Sequence, residues 1–378
     1  MSRFEPRVTS FVDATDCRPV LRVDIPWMGE GVCSPVVAVV ERLLADARAR
    51  GASDLHLDPT EKGVEVTVRR DGVLEPVETL PADLGPRVVG RLKALAELLA
   101  YRTDVPQEGR IAGPAEARVA TFPTLLGERV AVRFDAQEGE PAGLSALELP
   151  PDTLQSLARA IREPEGVLLL TGPAGSGKTT TLYSCLREMA AETPRRSLFT
   201  LEDPVERRVK GVTQTQVNAA AGLTFARALR SLLRQDPDVI LVGEIRDRET
   251  AAIALEAGLT GHLVLSTVHA GTAPQVFARL LEMGIEPFVA TTAVRGVLAQ
   301  RLLRRREEGG YRGRVVAAEW LPMTAELRRT VLARGDGEAL ERAAREGGLP
   351  SLRDAARRLV ESGITDEREV ERVLGRGN

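Results

Sequence analysis

Cysteine is almost missing from this chain. Its 378 residues hold three, Cys17, Cys33 and Cys185, with no CxxC pair and no metal-ligand spacing. That excludes a disulfide framework and implies a reducing compartment. Aromatic residues are as sparse, at 3%, so no stacking platform for single-stranded nucleic acid is expected. Neither sign of charge dominates: the formal net charge is −3, and nothing global marks a nucleic-acid binder. No apolar run approaches the ~20 residues that span a bilayer. Met1 to Cys17 interleaves Arg3, Glu5, Arg7 and Asp13 among its apolar residues, so no secretory signal is expected. Such a chain is expected in the cytoplasm and would reach a membrane through a partner.

Ala, Arg, Leu and Glu dominate, favouring helices packed through aliphatic side chains, and the length fits two domains. Residues 1–34 read as a loose leader, broken by Pro19, Pro26, Gly29 and Gly31. After Pro35 an amphipathic helix is expected through Val36, Val39, Val40, Leu43 and Leu44 towards Arg50. Leu55–Leu57, Val64–Arg69, Arg118–Phe122 and Val130–Phe134 alternate as strands, with a helix between Pro86 and Ala100. Residues 35–135 are therefore read as a compact α+β domain, and 136–151, rich in Glu, Gly and Pro, as a linker. From 152 to 305 the pattern changes. The continuous apolar runs Gly166–Leu170, Val239–Val242 and Leu263–Leu265 suit strands buried on both faces, hence an α/β domain with a parallel sheet. Residues 306–378, charged and punctuated by glycine, are expected to form a helical extension. No internal repeat is visible.

The strongest motif is Gly172-Pro173-Ala174-Gly175-Ser176-Gly177-Lys178-Thr179, followed by Thr180, between an expected strand and an expected helix. Glycines let backbone N–H groups close around phosphate oxygens, and the helix N-terminus adds partial positive charge. Lys178 is placed to reach the β- and γ-phosphates of ATP and Thr179 to ligate Mg²⁺. A glycine-rich turn without a ligand is the plainer reading, and the strand–loop–helix context argues against it. Asp236-Pro-Asp238 leads through an apolar run to Gly243-Glu244, an acid delivered at a buried strand's C-terminal end. There Glu244 can polarise the attacking water or hold magnesium's outer shell. A second acidic turn, Glu202-Asp203-Pro204-Val-Glu206, would usually be a solvated strand end. Adjacent parallel strands end on one side, however, which would bring Glu202 to the same edge as Glu244. His269 follows a third apolar run, where a γ-phosphate sensor could sit. His262 is read as structural and His56 as a core or interface residue.

Together these boxes resemble the secretion and pilus assembly ATPases of the type II and type IV systems (GspE/PilB-like). The resemblance runs from Gly51-Ala-Ser-Asp-Leu-His-Leu-Asp-Pro59 and Arg69-Arg-Asp-Gly72 through the glycine loop, Leu201-Glu-Asp-Pro-Val-Glu206, Leu233–Asp247 and Thr260–His269. It ends in Gln300-Arg-Leu302 and Gly310-Tyr-Arg-Gly-Arg314 to Glu319. It implies a PAS-like N-terminal domain joined to a RecA-like P-loop ATPase domain, assembled as a homo-hexamer. In such a ring, N-terminal-domain arginines complete the nucleotide site, and the matching positions are Arg118 and Arg133. The implied activity is ATP hydrolysis driving type II secretion or type IV pilus or pseudopilus assembly (DNA-uptake pili included), on an inner-membrane platform protein. Two departures stand out. Only Leu303–Gly309 separates the last two boxes, without cysteine, so the zinc loop of many relatives is not expected. With so short a leader, an additional docking domain is not expected. Docking is then expected through the leader, the first domain or the C-terminal helices. A pilus retraction motor and an ATP-binding scaffold with little turnover remain as alternatives. A nucleic-acid translocase would rest on Arg301, Arg304, Arg305 and Arg306 alone, which read as a solvated or interface stretch.

Overall fold

The computed structural model describes residues 8–11, 20–23, 35–113, 116–134, 143–346 and 348–376. Cys17, Cys33, most of the expected leader and residues 136–142 of the expected linker lie outside them. The chain divides into two compact units, Met1–Ala136 and Gln137–Asn378.

In the first unit, β1 (Val8–Phe11) pairs antiparallel with β2 (Val20–Val23), inside a stretch read from sequence as irregular. There follow α1 (Pro35–Ala49), β3 (Asp54–Thr60), β4 (Gly63–Arg70), β5 (Val73–Leu80), α2 (Gly85–Leu95), β6 (Gln107–Ile111), β7 (Ala117–Thr124) and β8 (Gly127–Phe134). β3 to β8 form one six-stranded sheet in the order β5-β4-β3-β8-β7-β6, antiparallel throughout. The two strands absent from the sequence reading, β5 and β6, are its edges. An edge strand has one neighbour and tolerates Glu75, Pro76 and Glu78, which blur the alternation. Val40 and Leu43 of α1 and Val88 and Leu92 of α2 cover one face, packing on Leu55, Leu57, Val66 and Val132. The two-residue period of a strand sends Asp54, His56 and Asp58 to the other face.

The second unit opens with a 3₁₀ turn at Leu144–Leu147 and continues with α3 (Pro151–Ala160), β9 (Gly166–Thr171), α4 (Lys178–Ala191), β10 (Leu198–Glu202) and β11 (Thr213–Gln216). Next come α5 (Phe225–Leu232), β12 (Val239–Val242), α6 (Arg248–Leu259), β13 (Leu263–Thr267), α7 (Gln275–Glu282) and α8 (Pro287–Ala293). The chain closes with β14 (Val294–Glu307), β15 (Gly310–Pro322), α9 (Ala325–Leu332), α10 (Gly337–Glu346), α11 (Leu352–Glu361) and α12 (Glu367–Leu374). The sheet order is β11-β10-β12-β13-β9-β14-β15, parallel except for the antiparallel β14–β15 pair. β9, β12 and β13 are buried along their whole length. Alternate side chains serve opposite layers. Val167, Ile240 and Val264 pack with helices α5 to α8, whereas Leu168, Leu241 and Leu265 pack with α3 and α4. This is why those strands read as unbroken apolar runs.

Two expectations need correction. Leu144, Leu147 and Leu149, placed in the linker, are buried in the core beside α3 and α4, because their apolar side chains gain by leaving water. The stretch from 306, expected to be helical, first completes β14 and then forms β15. The charged end of β14 that leads into it suits a strand because side chains there find partners: Arg304 pairs with Glu369 at 2.7 Å and Arg305 with Glu148 at 2.6 Å.

Candidate functional site

The glycine loop lies between β9 and α4, as the motif requires. Gly172, Gly175 and Gly177 have φ of +147°, +74° and +90°, a region L-side chains avoid. Space excludes a side chain as well: a Cβ on Gly172 would lie 2.6 Å from both the Gln300 carbonyl and Ser176 Oγ. Pro173, Ala174 and Gly175 are exposed at the loop's crest and Ser176 is buried. Thr179 is half-buried and Thr180 exposed in the first turn of α4, whose N–H groups have no intrahelical acceptor. Lys178 Nζ folds back onto the loop, donating to the carbonyls of Gly172 at 2.8 Å and Pro173 at 2.9 Å. Burial lowers the pKa of its ammonium; Glu244 opposes that and Arg301 adds to it.

Glu244 stands just beyond β12, at the same edge of the sheet. Its carboxylate is 16% exposed and lies 3.0 Å from His269 Nε2, and it accepts from Arg246 Nε at 2.6 Å. The histidine loop is tied to the phosphate strand, since Thr171 Oγ1 donates to the Ala270 carbonyl at 2.9 Å and accepts from Ala270 N at 3.0 Å. Thr267 Oγ1 donates to the Gly243 carbonyl at 2.8 Å, joining the ends of β12 and β13. Glu244 thus touches His269 directly, and its charge favours the ammonium form of Lys178.

Glu202 ends β10 on the same edge but belongs to a network of its own. It is 5% exposed and accepts from Tyr183 Oη, Thr200 Oγ1 and, at 3.2 Å, Gln214 Nε2. Burial, and then the bond to Glu202, raise the Tyr183 pKa, keeping the phenol protonated. His262 immediately precedes β13, its Nδ1 3.1 Å from the Ala257 carbonyl, a helix-end contact consistent with a structural role. His56 is buried, with neither ring nitrogen partnered among the described residues, and burial lowers its pKa. Arg118 and Arg133 lie in the first unit, directly opposite each other on β7 and β8, and Arg110 is opposite Arg118. Arg133 Nε donates to Asp54 Oδ1 at 2.9 Å while its side chain stays 72% exposed.

Sequence reasoning did not assign Gln300 a place in the site. Gln300 Nε2 donates to the Ser176 carbonyl at 3.1 Å, and the side chain is 1% exposed. A polar residue directly after the buried apolar run Val297–Ala299 was the available signal. Arg301, read as part of a solvated stretch, instead donates from Nη2 to the Gly271 carbonyl at 2.7 Å and from Nη1 to the Gln300 carbonyl at 3.1 Å. Inside the loop, Ser176 Oγ and Gln300 Oε1 are buried without a partner among the described residues. An unspent buried hydroxyl, positive-φ glycines and a folded-back lysine are what a phosphate cradle would hold ready.

A strand, a glycine loop closing on Lys178, and a carboxylate just beyond a parallel strand one place removed in the same sheet define a P-loop nucleotide-binding domain. The profile of the type II/IV secretion system protein family matches residues 31–372, and the chain belongs to that family. It is 40% identical over 393 residues to the type II secretion system protein HxcR of Pseudomonas aeruginosa, a match covering 97% of this chain and 80% of that one. To the type IV pilus assembly ATPase PilB of Acinetobacter baylyi it is 39% identical, across 90% of this chain and 66% of that one. The crystal structure of the pilus retraction motor PilT with bound ADP superposes with a TM-score of 0.66 at 27% identity, covering 89% of this chain and 96% of that one.

Proposed function

We propose that this chain hydrolyses ATP with Mg²⁺ at the site built on Lys178 and Glu244, and that a homo-hexamer of it works on an inner-membrane platform protein. The chain is an ATPase motor of type II secretion or type IV pilus assembly. The observation carrying the site assignment is the Glu244 carboxylate, held between His269 and Arg246 just beyond β12, with the histidine loop tied through Thr171 to the strand that carries the glycine loop. Residues Gly172 to Gly177 would wrap the phosphates, Lys178 would leave its two carbonyls for the β- and γ-oxygens, and Thr179 would ligate magnesium. Magnesium, when bound, supplies charge neutralisation between those phosphates. Glu244 orients the attacking water and takes its proton, with His269 steadying the carboxylate. Glu202, oriented by Tyr183, Thr200 and Gln214, completes the acidic edge. Arg118 and Arg133 would meet the γ-phosphate in the ring. No zinc site is expected between Gln300 and Gly310. Among the described residues no helix is long and apolar enough to cross a membrane, which leaves recruitment to a partner.

ATP turnover per subunit, followed over a wide range of protein concentration with Lys178→Ala as the blank, tests this reading. Turnover rising cooperatively with concentration supports sites completed between subunits. Turnover stuck at the Lys178→Ala level, even with platform protein present, would sink the motor and favour the scaffold. The likeness to PilT supports a retraction motor as a second reading. Pilus number in a deletion strain separates the two, falling for an assembly motor and rising for a retraction motor.

A further inference from the structure

The loop that follows His269 is gripped from two sides. On one side Arg301 donates to the Gly271 carbonyl at 2.7 Å, and its Nη1 stands 3.1 Å from where a Cβ on Gly172 would lie. One guanidinium therefore touches both the entry to the glycine loop and the histidine loop. On the other side Thr272 Oγ1 donates to Glu341 Oε1, on helix α10. Glu341 Oε2 accepts from Arg345 Nη2 at 3.1 Å, and Arg345 Nη1 reaches Glu319 Oε1 at 3.3 Å. Glu319 on β15 is 2% exposed and accepts from Leu352 N at 3.2 Å, at the start of α11. Its cross-strand partner is Ala299, and Arg301 faces Ala317, which makes Glu319 and Arg301 diagonal neighbours on one face of the β14–β15 pair. Burial pushes the Glu319 carboxyl up, and Arg345 pulls it back. Glu319 in turn favours the charged form of Arg301, against the burial that opposes it.

Direct contacts run from Thr272 through Glu341 and Arg345 to Glu319, and from Arg301 to Gly271, and the diagonal placement of Glu319 and Arg301 brings the two runs together across the β14–β15 pair. Partly buried charges tolerate little relaxation, because each displaced partner leaves another charge uncompensated. Such contacts would pass a shift of the histidine loop to α10, and a shift of α10 back.

Resting on the ATPase reading above, we propose that Thr272, Arg301, Glu319, Glu341 and Arg345 are positioning residues for hydrolysis. They hold the loop after His269 between the glycine loop and helix α10, so that the nucleotide site and the C-terminal helices set each other's geometry. None of the five needs to touch the reacting atoms. Their loss should therefore spare nucleotide binding and impair turnover.

The test uses the full chain, as wild type and as Thr272→Val, Thr272→Ser and Glu341→Gln, each shown by its melting curve to be folded at the assay temperature. Steady-state ATP hydrolysis is measured together with hydrogen exchange of residues 337–346, with and without a magnesium-bound non-hydrolysable ATP analogue. In the wild type the analogue should slow exchange in α10 by about tenfold or more. Thr272→Val and Glu341→Gln should keep KM within about twofold, lose about fivefold or more in kcat, and lose the response at α10. Thr272→Ser keeps the hydroxyl and should restore both. Wild-type binding of the analogue without any response at α10 overturns the inference, as does a wild-type kcat in Thr272→Val and Glu341→Gln, or a serine variant no better than the valine one. Failure of the wild type to bind the analogue overturns the ATPase reading, and this inference with it.

Discussion

Replacing Glu369 by glutamine removes one charge from the place where the last helix is fastened to the sheet. The carboxylate is fully buried and accepts five hydrogen bonds: Arg304 N at 3.0 Å, Arg304 Nε at 2.9 Å, Arg304 Nη2 at 2.7 Å, Arg372 Nε at 2.7 Å and Arg372 Nη2 at 2.5 Å. An amide in its place turns one acceptor into a donor facing guanidinium groups, and leaves Arg304, itself 19% exposed, without its counter-charge. Breaking a buried pair from one side costs about 3–5 kcal/mol. Titration leads to a similar figure. Burial alone would push the Glu369 carboxyl up, but its bonds to Arg372 and Arg304 outweigh that and hold it at about 2 instead of the ordinary 4.5, which is worth about 3 kcal/mol. Because the folded-state value is depressed, that stability is complete above pH ~4.5 and fades as pH falls through ~2. The loss should be local, because Leu352, Ala356 and Val370 share a small apolar cluster with Leu303 and Val315. Hydrogen exchange of residues 352–374 in Glu369→Gln should accelerate about 100-fold at neutral pH, the factor that 3 kcal/mol allows. The difference between variant and wild type should narrow in acid below pH ~4.5. An acceleration under about fivefold, or a difference insensitive to acid, would show that the five bonds do not fasten α12.

Other outcomes follow from the same coordinates. Glu244→Gln keeps the bond to His269 in outline but loses the base, so kcat should fall about 10²–10⁴-fold with ADP affinity retained, and a fall under tenfold in a stopped assay would exclude a general-base role. Tyr183→Phe takes one donor from the buried Glu202 carboxylate; urea unfolding should report a loss of about 1.5–3 kcal/mol, and an unchanged midpoint would mean that water replaces the phenol. Gly296→Ala would place a Cβ 2.4 Å from the Trp320 ring; a cost of about 1–3 kcal/mol and a shifted tryptophan emission are expected, and neither would appear if the indole can swing aside.

Much of the ATPase unit could be read from the chain itself. The glycine loop is a run of eight residues whose backbone needs are local: Gly172, Gly175 and Gly177 must be glycine to take the φ values they have. β9, β12 and β13 were legible because burial on both faces leaves no polar position to break the run. The position of Glu244 at the sheet's edge was legible because it lies just beyond one of those strands. The edge strands β5 and β6 were not, since a strand with a single neighbour is held to a weaker pattern. Nor was the β14–β15 pair. Arg304, Arg305 and Arg306 look like a solvated run until Glu369, 65 positions away, is brought beneath Arg304. The same holds for the three donors of Glu202, drawn from α4, β10 and β11, and for the grip of Arg301 and Glu341 on the loop after His269. Backbone conformation and side-chain period are properties of neighbouring residues, so sequence alone determined the loop, the buried strands and the chemistry they carry. Which partner neutralises a buried charge depends on strand register and helix packing between distant segments, and only the tertiary structure decided that.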